Sequence, residues 1–94
     1  MALPLEIQVS QTPNPNAAKF QLNRVVAPRS ATYRDAATAD APWARRVLAI
    51  PGVTQVFALN DFIAVTKGPD AAWDRIVPDV ERILHDVFTS HEGG

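Results

Sequence analysis

A chain of 94 residues makes one domain with a modest core, and a domain of that size buries roughly 60–65% of its unfolded surface. Hydrophobic residues at 47%, charged residues at 20% and a net charge of −1 are ordinary for a globular protein and supply no electrostatic reason to expect nucleic acid or an acidic membrane as partner. With no cysteine, the chain has no disulfide, no thiol nucleophile and no thiolate of its own for zinc or an iron–sulfur cluster.

The N-terminus, Met1-Ala2-Leu3-Pro4-Leu5-Glu6, has no basic segment ahead of an apolar run, unlike a secretory signal. No apolar run approaches the roughly 20 residues of a membrane span. The expectation is one cytoplasmic domain over residues 1–94, with a core at about 5–89 and no membrane partner.

Leu5 to Thr12 alternates, with Leu5, Ile7 and Val9 on one side and Glu6, Gln8 and Ser10 on the other, the pattern of a half-buried strand. Thr12-Pro13-Asn14-Pro15-Asn16 is a rigid connector, because the prolines fix φ and the asparagines bond their own backbone. Ala17 to Leu22 resumes extended structure with Ala18, Phe20 and Leu22 on one face, and the two strands pair across the connector. Asn23 to Ala39 reads as a long ordered loop with a small edge element near Val25-Val26 or Thr32-Tyr33.

Asp40 is suited to cap a short helix, with Pro42 in its first turn and Trp43, Ala44, Val47 and Leu48 at helical spacing before Pro51 stops it. The most informative stretch follows. Val53 to Leu59 and Phe62 to Thr66 are two apolar, β-rich runs separated by Asn60-Asp61, both tolerant of positive φ, which predicts a tight hairpin. Strands so apolar belong mid-sheet under a helical layer. Gly68-Pro69-Asp70 forms a turn with Asp70 as the next cap. Trp73, Ile76, Val77, Val80, Ile83, Leu84, Val87 and Phe88 then form one stripe of a long helix. Pro78 predicts a kink, or a short first turn with the helix restarting there. His91 to Gly94 is expected to fray.

The order is strand, strand, helix, strand, strand, helix. It predicts an α+β two-layer sandwich, a four-stranded, mostly antiparallel sheet with two helices on one face (ββαββα).

No constellation announces chemistry. His85 and His91 do not share a helix face, and no His-x₃-His or Glu-x-x-His spacing occurs, so no metal or cofactor is expected. Ser10, Ser30 and Ser90 lack a nucleophile elbow, and no glycine-rich phosphate loop is present. Asp74, Asp79, Glu81 and Asp86 read as a wet helix face. Arg24, Arg29, Arg34, Arg45 and Arg46 concentrate positive charge mid-chain, but RNA recognition wants aromatics interleaved on a strand face, and Tyr33 alone is not that. Trp73 fits the core stripe; Trp43 is divided between closing the core and anchoring a partner.

Two long motifs in order, Gln11-Thr12-Pro13-Asn14-Pro15-Asn16-Ala17-Ala18-Lys19-Phe20 and Ala49-Ile50-Pro51-Gly52-Val53-Thr54-Gln55-Val56-Phe57 continued by Asn60 to Lys67, resemble the Nfu/NifU N-terminal domain family. Trp73-Asp74 with Pro78 resembles a third family feature, and the similarity spans residues 5 to 89. The chain departs from the family at Ala41-Pro42-Trp43-Ala44, where a serine and a leucine more often flank the proline.

The resemblance implies a part in iron–sulfur cluster assembly or delivery. Full-length members hold the cluster on a separate C-terminal domain with a Cys-x-x-Cys pair, and the N-terminal domain serves as an accessory or recognition module. The expectation is therefore a stand-alone, non-catalytic domain that holds no cluster. It would bind cysteine-bearing iron–sulfur carriers or apo client proteins through Thr12, Asn14, Asn16, Lys19 and Trp43. The alternative is a ferrous-iron donor or sensor using oxygen ligands.

Overall fold

The structure, a computed structural model, describes residues 5–89, so the tail expected to fray lies outside the described residues. In chain order the elements are β1 (Ile7–Gln11), β2 (Ala17–Leu22), β3 (Ala27–Tyr33), α1 (Pro42–Leu48), β4 (Val53–Asn60), β5 (Phe62–Lys67) and α2 (Trp73–Thr89). The strands form one sheet in the order β1-β2-β5-β4-β3, with every neighbouring pair antiparallel.

The predicted hairpin holds the centre. Leu59 pairs with Phe62, leaving Asn60-Asp61 as the turn, and Asn60 takes the positive φ, 55°. One face of the sheet is the core. Phe20, Ile63 and Ala58 lie in one cross-strand row, and Ala18, Val65 and Val56 in the next, all buried. Against them pack Ala44 and Val47 from α1 and Ile76, Val80, Ile83 and Leu84 from α2. Each fully buried aliphatic or aromatic side chain there contributes about 1.5–3 kcal/mol. The two-layer α+β expectation holds, with a fifth strand added.

That strand is β3, the edge element of the long segment, and it is longer than its sequence suggests. Pro28, Arg29 and Ser30 are exposed and the pairing with β4 shifts between Ala27 and Ala31. A proline is tolerated on an edge at a bulge, where no partner needs its missing N–H. Only Ala27, Ala31 and Tyr33 turn any surface away from solvent.

Three local expectations need correction. Asp40 does not cap α1: Pro42 starts the helix, the capping position falls to Ala41, and no side chain bonds there. Asp40 instead accepts a hydrogen bond from the Tyr33 hydroxyl at 3.1 Å. Asp70 stands ahead of α2, whose first bonds run from the N–H groups of Arg75 and Ile76 to the carbonyl of Ala72. It is Asp74 that supplies a carboxylate to the first turn. Finally, α2 does not restart at Pro78 but runs through it from Trp73 to Thr89. Its apolar stripe packs along the core on both sides of that residue, with Ile76 before it and Val80, Ile83 and Leu84 after.

Gly52 sits where α1 passes into β4, at φ +98°, and a Cβ there would lie 2.5 Å from the Cβ of Ala71. Both backbone conformation and space therefore require glycine, and Gly52→Ala is expected to destabilise by about 3 kcal/mol in urea unfolding. Tyr33 is the single tyrosine, so tyrosinate absorbance reports it alone. Burial, then the hydrogen bond and negative charge of Asp40, raise its phenol above the ordinary 10.0. The unfolded phenol ionises first, so this contribution to stability is complete below the unfolded value and is lost as pH rises through the folded one. The absorbance midpoint should exceed 10.0 and fall part of the way back in Asp40→Asn, since burial remains.

Candidate functional site

The connector between β1 and β2 is held by its own side chains. The Thr12 hydroxyl lies 2.9 Å from the Asn14 carbonyl and 3.0 Å from that of Ala17, and accepts the Asn14 N–H at 3.1 Å. The Asn14 side-chain oxygen accepts the N–H of Asn16 at 2.9 Å, an Asx turn, while the Ala17 N–H reaches the Asn14 carbonyl at 3.0 Å. With Pro13 and Pro15 fixing φ, few conformations remain to the loop.

Two long-range contacts tie this loop to the rest of the sheet and to α2. The Trp73 indole N–H donates to the carbonyl of Pro15 at 3.0 Å. The Lys67 ammonium donates to the side-chain oxygen of Asn16 at 3.1 Å and stands 5.7 Å from the centre of the Trp73 ring. The Lys67 backbone N–H also bonds the Asn16 carbonyl at 2.8 Å. The Asn16 and Trp73 side chains thus meet over Lys67, and each takes a partner from a distant part of the sequence.

Between β1, this loop and the first turns of α2 runs a groove of about 470 Å³, lined by Val9, Thr12, Pro13, Pro15, Trp73 and Val77 among others. It exists because Val9 faces the helix side opposite Phe20, but no helix covers it. Phe20 is fully buried and Val9 remains 40% exposed. The lining includes no carboxylate, lysine, arginine or histidine. Among the described residues no three His, Cys, Asp or Glu side chains gather closely enough to hold a metal, and no charged or polar residue is buried. The groove is apolar with a polar, hydrogen-bonded lip.

The five residues expected to bind a partner fall in three places. Thr12, Asn14 and Asn16 shape the loop. Lys19 points from the opposite face of the sheet, its ammonium 4.7 Å from the centre of the Phe62 ring. Trp43 is buried at the other end of the core, edge-on to Tyr33 at 6.0 Å and tilted against Phe88 at 6.4 Å. Sequence reasoning missed Val9, Trp73 and Val77 as groove residues. The helical stripe places Trp73 in the core, and it does pack against it, but its N–H reaches a loop that periodicity cannot see.

The fold and the groove define a small two-layer α+β domain with an apolar cleft at its β1 edge. The chain belongs to the family described as Scaffold protein Nfu/NifU N terminal, which it matches over residues 7–91. It is 36% identical over 86 residues to NifU-like protein 5, mitochondrial, of Arabidopsis thaliana, covering 89% of this chain and 31% of that protein. It is 31% identical over 81 residues to Conserved virulence factor C of Staphylococcus aureus strain USA300, covering 85% of this chain and 22% of that protein. The chain thus spans less than a third of these curated relatives.

Among solved structures it is similar to the crystal structure of protein SAV1430 from Staphylococcus aureus, with TM-score 0.76 and 32% identity, covering 84% of this chain and 98% of that one. The solution structure of a NifU-like protein from Saccharomyces cerevisiae shares the fold at TM-score 0.79 and 22% identity, covering 92% and 80%.

Replacing Trp73 by Phe removes the N–H bond to Pro15 while keeping most of the ring's packing. The expected loss in urea unfolding is about 1 kcal/mol, with the fold retained.

Proposed function

We propose that this chain is a non-catalytic recognition module in iron–sulfur cluster assembly or delivery, binding cysteine-bearing iron–sulfur carriers or apo client proteins and holding no cluster itself. Family membership supports the pathway. The lack of any cysteine supports a role in recognition rather than in cluster ligation. The observation that carries the reading is the preformed groove beside the Pro-Asn loop. The family signature builds a rigid wall there, and the side-chain oxygens of Asn14 and Asn16 are engaged in holding that wall. In this reading the loop contributes shape, and Val9, Val77 and the Trp73 ring contribute the apolar contact.

Among the described residues no helix is long and apolar enough to cross a membrane, and the printed name of the Arabidopsis relative assigns that protein to mitochondria.

Val9→Glu puts a charge into the groove from an exposed strand position and leaves the core untouched. The tagged chain, incubated anaerobically with lysate of its own source, should enrich cysteine-bearing iron–sulfur proteins as read by mass spectrometry. Val9→Glu should lose them while melting within about 0.5 kcal/mol of the parent. Recovery of no iron–sulfur protein would sink the pathway, and undiminished recovery by the variant would sink the groove.

A further inference from the structure

The central hairpin has the composition of strands covered on both faces, yet the helices cover one. Val56-Phe57-Ala58-Leu59 and Phe62-Ile63-Ala64-Val65 are continuous apolar runs, as in doubly covered strands, where a one-sided sheet would alternate apolar with polar. Val56, Ala58, Ile63 and Val65 are buried under the helices. Their neighbours Phe57, Leu59, Phe62 and Ala64 face the other way and are only half-buried, with Phe57 and Phe62 tilted against each other at 6.0 Å. Among the described residues no element packs over that face.

Beside the aromatic pair the charges are cations, while the exposed Glu6, on the same side as Gln8 and Ser10, stands at the far β1 edge just ahead of the strand. The five strands contain no aspartate or glutamate. Lys19 lies on one side of the aromatic pair, over Phe62, and Arg34 on the other, where its Nε–H donates to the Gln55 side chain at 3.0 Å. Four acidic residues (Asp74, Asp79, Glu81 and Asp86) lie on α2. Two cations thus flank an apolar aromatic pair on strands that carry no carboxylate of their own.

We infer that this open face docks an amphipathic helix of a partner protein, with an apolar stripe over Phe57, Leu59 and Phe62 and carboxylates toward Lys19 and Arg34. Such a helix completes a second covering layer, the way α1 and α2 cover the other face. A second copy offers no free apolar helix to lay there, because the stripe of α2 is already used in its own core. A single nucleic-acid strand also fits poorly, since the Lys19 ammonium occupies a face of the Phe62 ring on which a base would stack. The inference concerns the face opposite the groove and does not depend on the iron–sulfur reading.

The test titrates the ¹⁵N-labelled chain with a helical peptide of about 20 residues, leucines along one stripe and glutamates flanking it. A control peptide carries lysine in place of glutamate. Amide shifts are expected in β2, β4 and β5, with the glutamate peptide binding about tenfold tighter at low salt. Lys19→Glu with Arg34→Glu should reverse that preference while melting is retained, since both side chains lie outside the core. Equal affinity for the two peptides, shifts confined to the groove, or no shift at about 1 mM peptide would overturn the inference. So would a dimer in sedimentation equilibrium that Phe57→Thr abolishes. Tighter binding at the same amides by an oligouridine of about 12 nucleotides would replace the protein partner with nucleic acid.

Discussion

The architecture depends on what happens at the tip of the central hairpin. The Asp61 carbonyl accepts the Leu22 N–H at 2.8 Å and the Gln21 side-chain amide at 3.2 Å, and the Asn60 carbonyl accepts the Val26 N–H at 2.7 Å. The chain between β2 and β3 is thereby led around the tip, so β2 and β3 end on opposite sides of a hairpin that follows them both in sequence. This is why the sheet order is β1-β2-β5-β4-β3 rather than a meander. Inserting the hairpin brings its Val56, Ala58, Ile63 and Val65 under both helices and closes the core. Asn60 makes this possible by accepting a positive φ that most residues resist.

At the other end of the hairpin the same logic fixes the groove. Lys67 ends β5 beside Asn16, Gly68 donates its N–H to the Gly52 carbonyl at 2.8 Å, and the turn that follows delivers Trp73 to the Pro15 carbonyl. Trp73 is thus held at the loop by a hydrogen bond as well as by packing against the core, and Val9 beside it remains 40% exposed. Elsewhere α2 is fastened conventionally: the Arg24 guanidinium donates to the Phe88 carbonyl near the C-terminal end of the helix at 2.9 Å, a favourable place for a cation. Arg46 pairs with Asp86 across the two helices, but both side chains are exposed and such pairs contribute little.

The two surfaces differ in chemistry. The groove is uncharged and built from a loop, a strand edge and a helix start. The open sheet face is aromatic, with Lys19 and Arg34 beside its Phe57–Phe62 pair. The sheet itself lies between them.

Much of the fold was legible in the chain because local physics decides it. The alternation of β1 and β2, the Asn60-Asp61 turn between two apolar runs and the stripe of α2 each require only neighbouring residues. The length of β3 was not legible, since an edge strand needs neither alternation nor good propensity, and its pairing with β4 is supplied from across α1. Asp40 was misread for a similar reason: as a cap it has the right chemistry, but Tyr33 reaches it and Pro42 places the helix start one residue later. Of the site, sequence alone determined the rigid Pro-Asn loop and its self-bonding asparagines, because proline and Asx geometry are local. Only the tertiary structure decided that Trp73 and Lys67 clamp that loop, that Lys19 belongs to the opposite face, and that Trp43 is core. Those outcomes rest on contacts between residues distant in sequence, which no periodicity encodes.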